Sequence, residues 1–169
     1  DMYDYITAEL PRLGYRRYEI SNYAKAGEES RHNLAYWQDV PYIGLGAAAH
    51  SYWHGRRMEN EQDLRRYIAC IEGGLSPARE EEPCSRENHI EEVAFLALRT
   101  ADGLAKGRFR STFGCDVHEV YGEVIARLQA AGLVEETVES IRLTAQGMKF
   151  GNRVFEAFLL ERDETYGEE

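Results

Sequence analysis

The sequence is short of cysteine, proline, positive charge and long apolar runs, and each shortage closes off a class of protein. Its three cysteines, Cys70, Cys84 and Cys115, are odd in number, widely spaced and never arranged as C-x-x-C. Such a set offers neither a disulfide framework nor a thiolate cage for zinc or an iron–sulfur cluster, so the three read as reduced packing thiols. No apolar stretch approaches the roughly 20 residues of a membrane span, and the N-terminus lacks the basic and apolar regions of a signal peptide. Lys and Arg total 20 against 30 Asp and Glu, a net charge of -10. That balance repels phosphate backbones and argues against nucleic acid as a partner. A cytoplasmic protein with no membrane span is the expectation.

What remains is a globular composition: 169 residues, 43% hydrophobic and 30% charged, enough for one ordinary domain or a small domain plus part of another. Met2 to Leu13 carries apolar residues near helical spacing, with Pro11 placed to end the helix and Gly14 to stop the chain turning. Tyr15 to Ile20 is rich in strand formers and runs into Ser21 and Asn22, residues suited to a turn. Helix, glycine, strand is one αβ step of an α/β fold. A second step follows: His32 to Gln38 reads as a single helical turn with Asn33 able to cap it, and Tyr42 to Leu45 as a short buried strand broken by Gly44 and Gly46. Two strands do not close a sheet or barrel, so residues 1–57 read as the end of a larger α/β domain.

Beyond His54 the pattern changes. Glu61 to Gly73 predicts a helix with Leu64, Tyr67, Ile68 and Ile71 as its apolar stripe, and Leu75 to Pro83 a polar, proline-containing connection, so that residues 58–83 form a helix and linker. Residues 84–169 then read as a mostly helical domain. Ser85 caps a helix through Leu98, Phe109 to Phe113 is a short helix closed by Gly114, and Asp116 caps a longer one stopped by Gly132. Leu133 to Glu136 pairs with Ser140 to Leu143 as a hairpin, and Thr144 opens a final helix. The order resembles a winged helix, giving an α+β chain overall. The presumptive recognition helix carries Glu119 and Glu123 against Arg127, and the wing is acidic at Glu135, Glu136 and Glu139. Structural or protein-docking use therefore fits it better than DNA reading.

Candidate chemistry gathers between Ser30 and Ser51, S-R-H-N-L-A-Y-W-Q-D-V-P-Y-I-G-L-G-A-A-A-H-S. His32 and His50 bracket an aromatic block and a glycine-rich turn. In α/β sheets and barrels ligands collect at the carboxyl ends of strands, which favours Glu19 to Asn22 and Gly46 to Ser51. Ordinary structural readings stand beside these: capping for His32 and Asn33, turn geometry for the glycines, and a turn residue for Asn22. His54, Arg56 and Arg57 form a small basic patch, while His89 and His118 read as satisfied or exposed histidines.

Three runs carry a resemblance: Y-E-I-S-N-Y-A (Tyr18 to Ala24), S-R-H-N-L-A-Y-W (Ser30 to Trp37) and Y-I-G-L-G-A-A-A-H-S (Tyr42 to Ser51). With the later G-L-V-E, L-T-A-Q-G and N-R-V-F-E-A-F-L, they resemble the C-terminal portion of the radical-SAM family of oxygen-independent coproporphyrinogen III oxidases and haem chaperones. The H-N-x-x-Y-W run, intact at His32, Asn33, Tyr36 and Trp37, resembles the haem-chaperone branch. The resemblance implies the end of a partial (βα) radical-SAM barrel followed by the winged-helix-like domain. It implies haem binding at His32, Asn33, Tyr36 and Trp37, with His32 as the iron ligand, and transfer of haem to an acceptor protein. It places Gly44, Gly46 and His50 at a cofactor and substrate pocket. Glu19 and Asn22, by their position at a strand end, are further candidates for contact with substrate or cofactor, and the patch of His54, Arg56 and Arg57 reads equally as a partner for porphyrin propionates and as solvated surface. S-adenosylmethionine and a four-iron, four-sulfur cluster are implied for a longer parent, since the three-cysteine cluster motif is absent here and this chain alone is expected to be inactive as a radical enzyme. An anaerobic coproporphyrinogen oxidase and a non-catalytic docking module are the alternatives. Strand edges left open by missing neighbours could pair two copies into a homodimer.

Overall fold

The computed structural model describes residues 2–80 and 85–160. Contacts divide the chain into two compact units, Asp1–Gln38 with Ile90–Glu169, and Asp39–His89. The first unit is thus built from two separated stretches of sequence, and the second lies between them in the chain.

The first unit opens with α1, Met2–Arg12, which keeps Pro11 inside its last turn. Gly14 follows with φ +85, the left-handed geometry that a non-glycine side chain resists. The expected strand over Tyr15 to Ile20 shrinks to β1, Arg16–Arg17, which pairs antiparallel with β2, Tyr23–Ala24. This is a correction to the parallel αβ step: Asn22 returns the chain at once, its carbonyl accepting the Tyr18 N–H. The apolar stripe expected on α1 is also not buried; Met2, Tyr5, Ile6 and Leu13 are exposed. Helix α2, Arg31–Trp37, is capped by Ser30, whose hydroxyl accepts the Asn33 N–H. The cap is therefore Ser30, and Asn33 is the residue it caps.

The core of this unit lies further along. Helix α4, Arg86–Leu98, starts at Ser85, whose hydroxyl accepts the Asn88 N–H, and buries Ile90, Val93, Ala94 and Leu98. Strand β6, Leu104–Ala105, and helix α5, Lys106–Phe113, follow, the helix ended by left-handed Gly114. Helix α6, Val117–Ala130, begins with a reciprocal capping box between Asp116 and Glu119. It ends where Gly132, at φ +68, lets the Leu133 N–H reach the Leu128 carbonyl. Strands β7, Val134–Glu136, and β8, Ser140–Leu143, form the expected hairpin, and the sheet order is β6-β8-β7, all antiparallel. Phe109, Val117, Tyr121, Ile125, Ile141, Val154 and Phe158 meet in one apolar cluster. A buried side chain of this kind contributes about 1.5–3 kcal/mol.

The expected final helix is broken in two: α7, Ala145–Lys149, and α8, Gly151–Ala157, separated at Phe150. Phe150 has φ -112 and ψ 31, outside the helical well, which ends one ladder and starts the next. Thr144 opens α7 as expected, its hydroxyl accepting the Gly147 N–H.

The second unit is a three-stranded antiparallel sheet with a helix. Strand β3, His50–Trp53, turns back into β4, Arg56–Asn60, which pairs with β5, Ala78–Glu80. Helix α3, Leu64–Glu72, lies between β4 and β5 in sequence and is capped by Asp63. Two expectations are corrected here. Tyr42 to Leu45 is no buried strand: Tyr42 makes a single bridge to Tyr52, and Ile43 and Leu45 are 66% and 89% exposed. The connection over Leu75 to Pro83 contains β5, and its end, residues 81–83, lies outside the described residues. The stripe on α3 is exposed as well, at Leu64, Ile68 and Ile71. Among the described residues of this unit, the buried side chains are the polar Ser51 and Asn60.

Candidate functional site

Helix α2 presents the first candidate set. With seven residues and none buried, it relies on its cap and its aromatic contacts rather than on a core. The exposed His32 ring stands edge-on to Tyr36 one turn later, with centroids 4.9 Å apart and planes at 83°. Trp37 at the end of the helix packs against Tyr18, 6.0 Å away at 54°. Asn33 is half-buried and its backbone is taken by the cap. The helix thus brings His32, Asn33, Tyr36 and Trp37 together on a short, exposed platform.

Glu19 and Asn22 meet in a different way. Glu19 is 0% exposed, and its carboxylate is surrounded by donors. One oxygen accepts the Ser21 N–H at 2.9 Å, the Ser21 hydroxyl at 3.1 Å and the Asn22 amide at 2.7 Å; the other accepts Arg99 Nη2 at 2.6 Å. Burial pushes this carboxyl up, but the bonds from Ser21, Asn22 and Arg99 outweigh it and hold it below its ordinary 4.5. The backbone reinforces the join, Ile20 N–H donating to the Arg99 carbonyl and Ala101 N–H to that of Tyr18. Glu19 therefore sits where the turn after β1 is fastened to the end of α4. Arg99 was not singled out from sequence, because a partner 80 positions away leaves no local pattern.

Gly44, Gly46 and His50 lie in the second unit. A Cβ on Gly44 would stand 2.1 Å from the His50 carbonyl oxygen, so only glycine fits. Gly46 has φ +108. Two buried polar side chains brace this loop: the Ser51 hydroxyl accepts the Gly44 N–H at 2.9 Å, and the Asn60 amide donates to the Gly46 carbonyl at 2.8 Å and the Gly44 carbonyl at 3.4 Å. Sequence reasoning missed Asn60, and no spacing signal marks it. His50 is exposed at the start of β3, opposite Glu59, with Nε2 3.7 Å from its carboxylate.

The basic patch occupies the β3–β4 turn. His54 and Gly55 both have positive φ, 50 and 73, the geometry of a two-residue hairpin turn. His54 packs on Trp53, and the Arg57 guanidinium lies over the Tyr52 ring at 5.5 Å. His89 and His118 are both engaged, as expected. His89 Nε2 lies 3.0 Å from Asp39 and 3.3 Å from the Tyr52 hydroxyl, and His118 Nε2 lies 2.7 Å from Glu136. Cys70 and Cys115 are both half-buried, while Cys84 falls outside the described residues. Among the described residues, no group of three or more His, Cys, Asp or Glu is arranged to hold a metal ion, and no helix is long and apolar enough to cross a membrane.

Residues 84–150 match the family model described as the HemN C-terminal domain. Over 161 residues the chain is 39% identical to the haem chaperone HemW of Bacillus subtilis, covering 95% of this chain and 42% of that protein. The HemW of Lactococcus lactis is 37% identical with the same coverage. Among solved structures, the coproporphyrinogen III oxidase HemN from Escherichia coli, described as a radical-SAM enzyme, matches with a TM-score of 0.68 and 18% identity, over 94% of this chain and 40% of that one. The mixed helix and sheet architecture is thus that of part of a HemN-like protein. By these matches the chain is similar over nearly its whole length to haem chaperones HemW, and residues 84–150 to the HemN C-terminal domain. It spans about two-fifths of the length of the curated relatives it matches.

Proposed function

We propose that this chain is the haem-presenting C-terminal part of a longer haem chaperone, with α2 as the place where haem is held. The carrying observation is the exposed His32 imidazole set edge-on to Tyr36 at 4.9 Å on a helix that buries none of its residues. The donor chemistry fits the group: an imidazole nitrogen is an established axial ligand of haem iron, and Tyr36 with Trp37 offers flat apolar surface for the macrocycle. His32 would hold the iron. Haem supplies the redox-active iron when bound. The chain's own residues would orient the group and leave it accessible to an acceptor, since α2 lies at the surface.

The fold supports this reading in two further ways. The order α4, β6, α5, α6, β7, β8 with a β6-β8-β7 sheet fits a winged-helix-like domain, and the exposed Glu119, Glu123, Glu135 and Glu139 suit protein docking better than DNA. The S-adenosylmethionine and cluster sites we assign to the part of the longer protein outside this chain. The cysteines present do not fit a four-iron cluster, lacking any close-spaced triad.

Haem titration tests the assignment. Haem added to the protein should give a shifted Soret band, and His32→Ala should weaken or remove it. Identical spectra for wild type and variant would sink the assignment to His32. The fold match to HemN keeps an oxidase as the second reading. Anaerobic decarboxylation of coproporphyrinogen III by the full-length protein would favour it, and no turnover with an intact cluster would remove it.

A further inference from the structure

Glu19 is wholly buried, and nothing in haem ligation uses it. It does, however, fix the residue beside it. The Tyr18 backbone is bonded on both sides, its N–H to the Asn22 carbonyl and its carbonyl to the Ala101 N–H. The turn containing it is bolted to Arg99 through the Glu19 carboxylate. The Tyr18 ring then meets Trp37 at 6.0 Å. Helix α2 has no buried residue of its own, and the Ser30 cap and this ring contact are two of the contacts that hold it. We infer that Glu19 is a positioning residue for α2, acting through Tyr18 and Trp37 to set the platform that carries His32 and Tyr36. The inference deepens the haem-site reading of α2 and rests on it where the ligand is concerned.

Glu19→Gln is the informative change. It keeps the size of the side chain but removes the charge. Whichever way its amide faces, its NH2 end meets donors, Arg99 on one side or the Ser21 N–H and the Asn22 amide on the other. Hydrogen exchange of the full-length protein, followed by mass spectrometry, reads α2 directly through its amides, among them Leu34 to the Ser30 carbonyl and Gln38 to the Leu34 carbonyl. Exchange over residues 31–38 should speed up about tenfold, while α6 in the core exchanges as before. Tyr18→Leu should reproduce the effect, and Tyr18→Phe, which keeps the ring, should not. Unchanged exchange in α2, or equal acceleration in α6, overturns the inference. Tyr18→Leu with no effect overturns the route through the ring.

Haem provides the second readout. If wild type binds haem, Glu19→Gln should weaken binding in the same direction as His32→Ala, and full retention of affinity with a loosened α2 overturns the link to the ligand. If wild type binds no haem, the proposed function falls, and the exchange data still decide whether Glu19 positions α2.

Discussion

Replacing Gly147 with alanine tests how the hairpin and α7 are joined. A Cβ at this position would stand 1.8 Å from the Leu133 carbonyl oxygen and 2.9 Å from its carbon, both backbone atoms. The same carbonyl accepts the Thr144 N–H at 3.0 Å, and the Thr144 hydroxyl donates to the Gly132 carbonyl at 2.7 Å. No side-chain rotation relieves such a contact, so α7 must move off the start of β7 and loosen both bonds. Overpacking costs about 1–3 kcal/mol, and a backbone clash belongs at the upper end. Alanine recovers up to about 1 kcal/mol of helix propensity, leaving a net loss near 2 kcal/mol. Gly122→Ala is the matched control, in α6 with its nearest neighbour, His118 Cβ, at 3.9 Å; there the propensity gain stands alone, about 0.5–1 kcal/mol of stabilisation. Urea unfolding followed by far-UV circular dichroism should show a lower midpoint for Gly147→Ala and a higher one for Gly122→Ala at unchanged slope. Equal midpoints for Gly147→Ala and wild type would refute the close-approach argument.

Three other outcomes follow from the geometry. Because the Glu19 carboxyl is held below its ordinary 4.5, it contributes stability that is fully present above that value and lost as pH falls through its lower folded value. The stability advantage of wild type over Glu19→Gln should therefore shrink on acidification, and a constant difference down the acid limb would count against the pairing. The Tyr121 hydroxyl is buried with no hydrogen-bond partner among the described residues, and burial, with the nearby Glu91 charge, pushes its ionisation well up. Tyr121→Phe should leave stability unchanged or raise it by about 1 kcal/mol, since an unsatisfied polar group is removed; thermal unfolding that drops by several degrees would contradict this. Asn60→Ala removes the amide that braces Gly44 and Gly46 and should cost about 1–2 kcal/mol, seen as faster amide exchange confined to residues 42–61. Acceleration throughout the protein would show that Asn60 does more than hold this loop.

Local signals were legible where a single residue determines them. Ser85, Asp116 and Thr144 announce helix starts, Gly114 and Gly132 announce stops, and the 3.6-residue periodicity of α4 and α6 places Ile90, Leu98, Tyr121 and Ile125 in the core. The β3–β4 hairpin was there to be read as well, His54-Gly55 between strand formers being a two-residue turn signal. Other features depend on partners distant in sequence. Periodicity predicts that the α1 and α3 stripes are buried, but periodicity names a face and not its cover, and Met2, Tyr5, Leu64 and Ile71 are exposed. Tyr42 to Leu45 has strand-like composition, yet only Tyr42 finds a bridge. Of the candidate site, the contiguous α2 set was visible as a motif. The buried Glu19–Arg99 pair and the Asn60 brace were not, because each joins chain segments that sequence spacing does not relate.

The span between Glu19 and Arg99 also sets an order of events during synthesis. The carboxylate leaves the ribosome 80 residues before its guanidinium partner, a wait of about 4–16 s at ordinary elongation rates. Within that interval β3, β4 and β5 all emerge and can form their sheet, whereas the Glu19 carboxylate still lacks its Arg99 partner. Nascent chains stalled before Arg99 should therefore expose the turn at Tyr18 to Asn22 to proteases, and those stalled well beyond it should protect that turn.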